Sequence, residues 1–156
     1  MTIYHEITII IVTYKSEKLI SENLAVLKKF PTIIVDNSNS KNLNSIISEY
    51  DNIKLINPKK NLGYGKANNL GVSSSTTPYI LIINPDVLLS EESILKLYSS
   101  FQKNIKNAGV LGPSLYDANM NRRTNGSISY VKKTKGKKLS NFINNIPVGD
   151  TCCEFL

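Results

Sequence analysis

The eight residues Tyr79–Asp86, YILIINPD, constrain the fold more than any other stretch: an unbroken apolar run stops abruptly at Asn84, Pro85 and Asp86. A run of that length, rich in β-branched residues, is patterned as a strand buried on both faces, the environment of a parallel sheet. Pro85 has no N–H to give to a ladder, so the strand has to stop beside it. Asp86 is then left at the carboxyl end of a central strand, the edge where open α/β sheets bind their ligands. With no His or Cys cluster nearby, a carboxylate in that place suits a hard cation bridging to phosphate oxygens. The competing reading is a plain turn after a core strand.

The rest of the chain alternates strand and helix, which argues for parallel βαβ units. Ile7–Thr13 (ITIIIVT), Thr32–Asp36 (TIIVD) and Ile53–Ile56 read as the first three strands, and Tyr79–Ile83 as the fourth. A helix capped by Ser16 puts Ile20, Leu24 and Leu27 on one face and ends at Phe30–Pro31. Leu43, Ile46, Ile47 and Tyr50 mark a short second helix, and the glycine-rich Asn61–Gly71 (NLGYGKANNLG) leads into a third. Ser90 caps the longest, with Glu91 and Glu92 in its first turn and an apolar stripe of Ile94, Leu97, Tyr98, Phe101 and Ile105. Val110–Tyr116 reads as a fifth strand, and regular patterning fades near residue 130. The expected fold is α/β, three-layer α/β/α, with a mainly parallel sheet.

Composition narrows the function class. At 156 residues, 41% hydrophobic and 20% charged, the chain suits one globular domain with a real core, or a piece of a larger one. No apolar run approaches the roughly 20 residues of a membrane helix. Ile7–Val12 is too short for a signal-peptide core and lacks a basic leader, so a cytoplasmic location is expected. Cys152 and Cys153 are adjacent, which supports neither a disulfide framework nor a zinc site. Much of the net charge of +7 lies in Lys132, Lys133, Lys135, Lys137 and Lys138. These lysines form a solvated loop or are drawn to an anionic membrane, which would be the inner face of the plasma membrane. Nucleic acid is not expected as a partner, because no aromatic residue is interleaved with them to stack on bases. His5 reads as an uninvolved surface residue.

Thr13–Tyr14, Asp36–Asn37–Ser38 and Asn84–Pro85–Asp86 each follow a strand, and in a parallel sheet they share one edge, across which a nucleotide fits. Asp36 suits ribose hydroxyls or a base N–H, the alternative being a turn-initiating role. Gly63 and Gly65 resemble part of a dinucleotide fingerprint, but they follow the third strand and Asn68 occupies the third glycine's place, so an NAD-binding Rossmann domain fits poorly. Those glycines still admit close backbone approach by a ligand, and Lys66, Asn68 and Asn69 supply donors.

The succession IIIVTY, IIVDNSNS, NLGYGKANNLG and ILIINPDV, over about residues 5–130, resembles the nucleotide-sugar half of inverting family 2 glycosyltransferases of GT-A fold. It is most similar to the rhamnosyltransferase-like members that build surface polysaccharides. The resemblance implies a Rossmann-like nucleotide-diphospho-sugar transferase fold, incomplete at the C-terminus. Residues 1–130 would be the nucleotide-sugar-binding domain and residues 131–156 a truncated start of the acceptor-side region. It implies that Thr13 and Tyr14 lie beside the base, that Asp36 binds base or ribose, and that Asn61, Gly63, Lys66 and Asn68 surround ribose and diphosphate.

Asp86 would match the last carboxylate of the family's Asp-x-Asp motif and hold Mg²⁺ or Mn²⁺. Asn84 stands at that motif's first position, which removes one negative charge and leaves metal affinity more dependent on the donor's phosphates. The implied reaction moves a sugar, in the rhamnosyltransferase-like branch rhamnose, from a nucleoside diphosphate to a saccharide or lipid-linked acceptor with inversion. The family's general base lies in a later acidic motif. Val148–Cys153 resembles the start of the strand before it, and neither Asp150 nor Glu154 fits the motif, so the catalytic base is unassigned; the chain reads as a glycosyltransferase by descent, with its activity as it stands left open. The alternatives are a non-catalytic nucleotide-sugar-binding module, half of a split enzyme, or a basic surface binder. A nucleotidyltransferase would need a phosphate loop directly after the first strand, and VTYKSEK supplies none.

Overall fold

The computed structural model describes residues 3–106, 109–113 and 153–155. By its contacts the chain divides into one unit of residues 1–111 and 152–156 and a second of residues 112–151. Of the second, only Gly112 and Pro113 are among the described residues.

The first unit is built on β1 (Ile7–Thr13), α1 (Glu17–Leu27), β2 (Thr32–Asp36), α2 (Lys41–Ile47), β3 (Ile53–Ile56), α3 (Tyr64–Ser73), β4 (Tyr79–Ile83), α4 (Glu91–Asn104) and β5 (Cys153–Phe155). The sheet order is β3-β2-β1-β4-β5. β1 pairs in parallel with both β2 and β4, and β2 with β3, while β5 runs antiparallel along β4. The four strand segments expected from the sequence match the observed ones.

Every residue of β1 and β2 is buried, as an unbroken apolar run requires when both faces are covered. Ile7, Ile9, Ile11, Ile34, Leu81 and Ile83 point into a core closed by Ile20 and Leu27 of α1, Leu43 and Ile47 of α2, and Ile94, Tyr98 and Phe101 of α4. Ile10, Val12, Ile33, Val35, Ile80 and Ile82 form the opposite core under Ala67 of α3. The molecule therefore has the expected three layers. Each fully buried isoleucine contributes on the order of 1.5–3 kcal/mol of burial free energy, so the sheet centre carries most of the stability.

Local signals held with small changes. Ser90 caps α4 by accepting from the Ser93 N–H at 3.1 Å. Ser16 stands at the N-cap of α1 but its hydroxyl donates to the Tyr14 carbonyl at 3.1 Å instead, so it shapes the incoming loop. α1 ends at Leu27, before Phe30–Pro31 is reached. Ile105 of the α4 stripe lies beyond the helix and is exposed. The expected fifth strand at residues 110–116 is corrected: residues 110–113 hold only an isolated bridge at Leu111, and residues 114–116 lie outside the described residues. The fifth strand of the sheet is β5, which starts at Cys153, where the Val148–Cys153 segment ends. Among the described residues no helix is long and apolar enough to cross a membrane. The lysine-rich segment Lys132–Lys138 lies outside the described residues.

Candidate functional site

Because β1, β2 and β4 are parallel neighbours, the residues that follow them emerge along one edge of the sheet. Thr13 and Asp36 are direct Cα partners there, and the Asn84–Asp86 turn leaves from the other side of β1. α3 follows β3 and precedes the parallel β4, so its N-terminus also opens on this carboxyl edge.

The loops are stitched together by hydrogen bonds. The Asn37 N–H donates to the Thr13 carbonyl at 2.9 Å, and Asn37 Oδ1 accepts from the Leu62 N–H at 3.0 Å. One buried residue, through its backbone N–H and its side-chain oxygen, thus ties the ends of β1 and β2 to the loop before α3. The Lys15 N–H donates to Ser38 Oγ at 3.3 Å, which joins the first two loops again. Lys15 (φ 55°) and Asn39 (φ 53°) are the non-glycine residues with positive φ among the described residues, and both lie on this edge. Backbone strain of that kind, on the order of 1–3 kcal/mol each, concentrates at ligand sites.

Asp36 is buried, and its carboxylate is held by its own loop. Oδ1 accepts from the Ser38 N–H at 2.9 Å and from Ser38 Oγ at 2.6 Å, and Oδ2 accepts from the Ser40 N–H at 2.6 Å. The turn-initiating role weighed for Asp36 is therefore real, and Oδ2 retains capacity for one more donor. Glu17, at the start of α1, is held below the usual carboxylate range chiefly by its hydrogen bond with the Ser40 side chain and by its own backbone N–H.

Tyr14 projects from the edge with 53% of its surface exposed, and Lys15 Nζ lies 5.6 Å from its ring centroid. Thr13 is buried and its Oγ1 has no hydrogen-bond partner; the same holds for Asn68 Oδ1, about one turn into α3. A buried polar atom left unpaired costs about 1–3 kcal/mol, so both are candidates for pairing with a ligand.

Gly63 is the N-cap of α3, with φ 73° and ψ 172°, a conformation open essentially to glycine alone. Its N–H donates to Asn61 Oδ1 at 2.8 Å, and Gly63 makes no side-chain cap hydrogen bond to the helix, whose N-terminal end carries the positive pole of its dipole. That is an anion-accepting arrangement, with the exposed Lys66 beside it.

Asn84 is half-buried and Asp86 exposed, and the Val87 N–H donates to the Asn84 carbonyl at 3.3 Å, closing the turn. No group of three or more His, Cys, Asp or Glu residues that could cage a metal occurs among the described residues. One carboxylate with a neighbouring amide oxygen nevertheless fits a magnesium or manganese ion whose remaining ligands are phosphate oxygens and water. All nine residues singled out in the sequence thus lie on this edge or on the helix that opens onto it. Sequence reasoning missed Asn37 as the stitch between loops and Lys15 as a strained neighbour; the DNS triplet was the only hint of the first.

Comparison with known proteins agrees with this architecture. The family model described as "Glycosyl transferase family 2" matches residues 8–155. The low-salt glycan biosynthesis hexosyltransferase Agl10 of Haloferax volcanii is 32% identical over 121 residues, covering 73% of this chain and 38% of that protein. Among solved structures, the mannosyltransferase PcManGT of Pyrobaculum calidifontis, in complex with GDP-Man and Mn²⁺, superposes with a TM-score of 0.61 at 17% identity. It covers 74% of this chain and 37% of that one. TarS residues 1–349 of S. aureus superposes with a TM-score of 0.61 at 23% identity, over 73% of this chain and 36% of that one. The chain therefore spans well under half the length of these relatives, and the structural likenesses establish the GT-A nucleotide-sugar transferase fold.

Proposed function

From the premise that this chain belongs to glycosyl transferase family 2, we propose that it forms the donor-binding part of a hexosyltransferase acting in glycan biosynthesis. The observation that carries this reading is the convergence of Thr13, Asp36, the open N-terminus of α3 and Asp86 on one edge of a parallel sheet.

The ligand is a nucleoside-diphosphate sugar. Its base lies against the exposed Tyr14 ring and receives a hydrogen bond at Thr13 Oγ1, while Asp36 Oδ2 accepts from base or ribose. The diphosphate takes the first-turn amides of α3, Lys66 and the Asn61 loop, and Asn68 pairs with a ribose or sugar hydroxyl. Asp86, with Asn84, holds a divalent ion against the diphosphate. A bound Mg²⁺ or Mn²⁺ supplies charge neutralisation for the departing diphosphate. The sugar, rhamnose in the branch the motifs resemble, passes with inversion to a saccharide or lipid-linked acceptor of a surface polysaccharide. The lysines between residues 132 and 138 favour work at an anionic membrane face.

The test is calorimetric titration of GDP, UDP and dTDP into the protein with MnCl₂ or with EDTA. At least one of them binds, and Mn²⁺ tightens it. Asp86→Ala removes the Mn²⁺-dependent gain while leaving the fold, followed by circular dichroism, intact. Equal affinity of that variant with and without the metal is expected; retention of the full gain refutes the assignment.

A further inference from the structure

We infer that Asn23 is a positioning residue for the loop that carries Asp86, an inference resting on the reading of Asp86 as the metal ligand. Asn23 lies in the middle of α1, 3% exposed, between the core residues Ile20 and Leu27. Asparagine is a poor helix former, and a buried amide is costly unless its donors and acceptor are all used. Here they are used on a segment more than sixty residues away. Nδ2 donates to the Val87 carbonyl at 2.8 Å, and Oδ1 accepts from the Leu89 N–H at 2.9 Å. A longer bond from Nδ2 to the Leu19 carbonyl, 3.4 Å, ties the same amide back to α1.

The side chain therefore grips the backbone on both sides of Leu88 as a strand partner would, with one donor and one acceptor. Leu88 itself is 76% exposed and offers no apolar anchor of its own. Upstream the loop is closed by the Val87–Asn84 turn, and downstream it enters the Ser90 cap of α4. The grip begins at the residue next to Asp86. In a metal site with a single carboxylate no second charged ligand corrects a misplacement, and Asn84 sits on the same loop, so the loop's position decides how well Asp86 meets an ion held by phosphate. Losing an outer partner that orients a metal ligand typically costs about 10–100-fold in metal affinity.

Asn23→Asp is the informative variant: it keeps the shape and the acceptor for Leu89, and replaces the donor to Val87 with an oxygen. Asn23→Ser, which leaves room for water to take up both backbone groups, stands in if the first variant does not melt cooperatively. Binding of the nucleoside diphosphate found to bind best is measured by calorimetry in MnCl₂ and in EDTA, with thermal unfolding alongside. The expected result is binding in EDTA within about twofold of the unsubstituted protein and a Mn²⁺-dependent gain reduced about tenfold or more. In the Asn23→Asp/Asp86→Ala double variant the loss is no greater than in Asp86→Ala alone, because Asn23 acts through that carboxylate.

If Asp86→Ala abolishes the gain but the Asn23 variants keep it, the inference is overturned and the metal reading stands. An equal loss with and without Mn²⁺ makes Asn23 a fold-stabilising residue only and also overturns it. A gain that survives Asp86→Ala, or no gain in the unsubstituted protein, refutes the metal reading itself and the inference with it.

Discussion

Gly71 sits where α3 crosses β1, and replacing it with alanine is a direct test of how tightly the layer carrying the α3 donors is seated. A Cβ built at Gly71 comes 2.6 Å from Ile10 Cγ2 and 3.4 Å from Ile10 Cδ1. Carbon atoms in good contact stand about 3.5–4.0 Å apart, so roughly 1 Å has to be found. Ile10 cannot supply it easily. It is fully buried in β1, paired with Ile33 on one side and Ile82 on the other, and its Cγ2 is fixed by β-branching. The helix has to move outward or the isoleucine leave its rotamer, an overpacking cost of about 1–3 kcal/mol.

Alanine is favoured over glycine inside a helix by about 1 kcal/mol, which offsets part of that cost. The expected net loss is up to about 2 kcal/mol, or a melting temperature lower by up to roughly 8 °C for a domain of this size. The control is Gly65→Ala in the same helix, where nothing lies within 4 Å of the new Cβ and stability should hold or rise by up to about 1 kcal/mol. Thermal and urea unfolding followed by circular dichroism at 222 nm, a standard helix signal (about 222 nm), reads both. Gly71→Ala should therefore fall about 1–3 kcal/mol below Gly65→Ala, and if the two alanines are equally stable the close seating of α3 on Ile10 is wrong.

Two further outcomes are expected. Gly63→Ala, at φ 73° and ψ 172°, should cost about 1–3 kcal/mol and weaken nucleoside-diphosphate binding, because the strained N-cap sets the direction of the α3 first turn; unchanged melting and binding would refute this. Tyr98 is buried against the sheet and donates to Glu6, and burial first, then that bond, pushes its phenol from 10.0 up to about 12. Because the folded state holds this proton more tightly than the unfolded one, the contribution is complete below pH 10 and drains away as pH rises towards 12. About 2–3 kcal/mol of alkaline destabilisation over that window should therefore be missing in Tyr98→Phe, and parallel pH–stability curves for the two proteins would contradict the assignment.

The sequence alone determined the local elements and the chemistry at their ends. Two-sided burial writes itself as an uninterrupted run of β-branched residues, so Ile7–Thr13, Thr32–Asp36 and Tyr79–Ile83 were legible to the residue, and with them the carboxylates Asp36 and Asp86. Helix stripes and the Ser90 cap were legible for the same reason, since their causes lie within one or two turns of chain. The tertiary structure decided what depends on residues far apart. It put β1 between β2 and β4, so that Thr13 pairs with Asp36, and it recruited Cys153–Phe155 as the outer strand where residues 110–116 had been expected. It also turned Asn23 and Asn37 from unremarkable amides into clamps on distant loops. An amide's partners are whichever backbone groups the packed layers bring within 3 Å of it, and periodicity along the chain holds no record of that encounter.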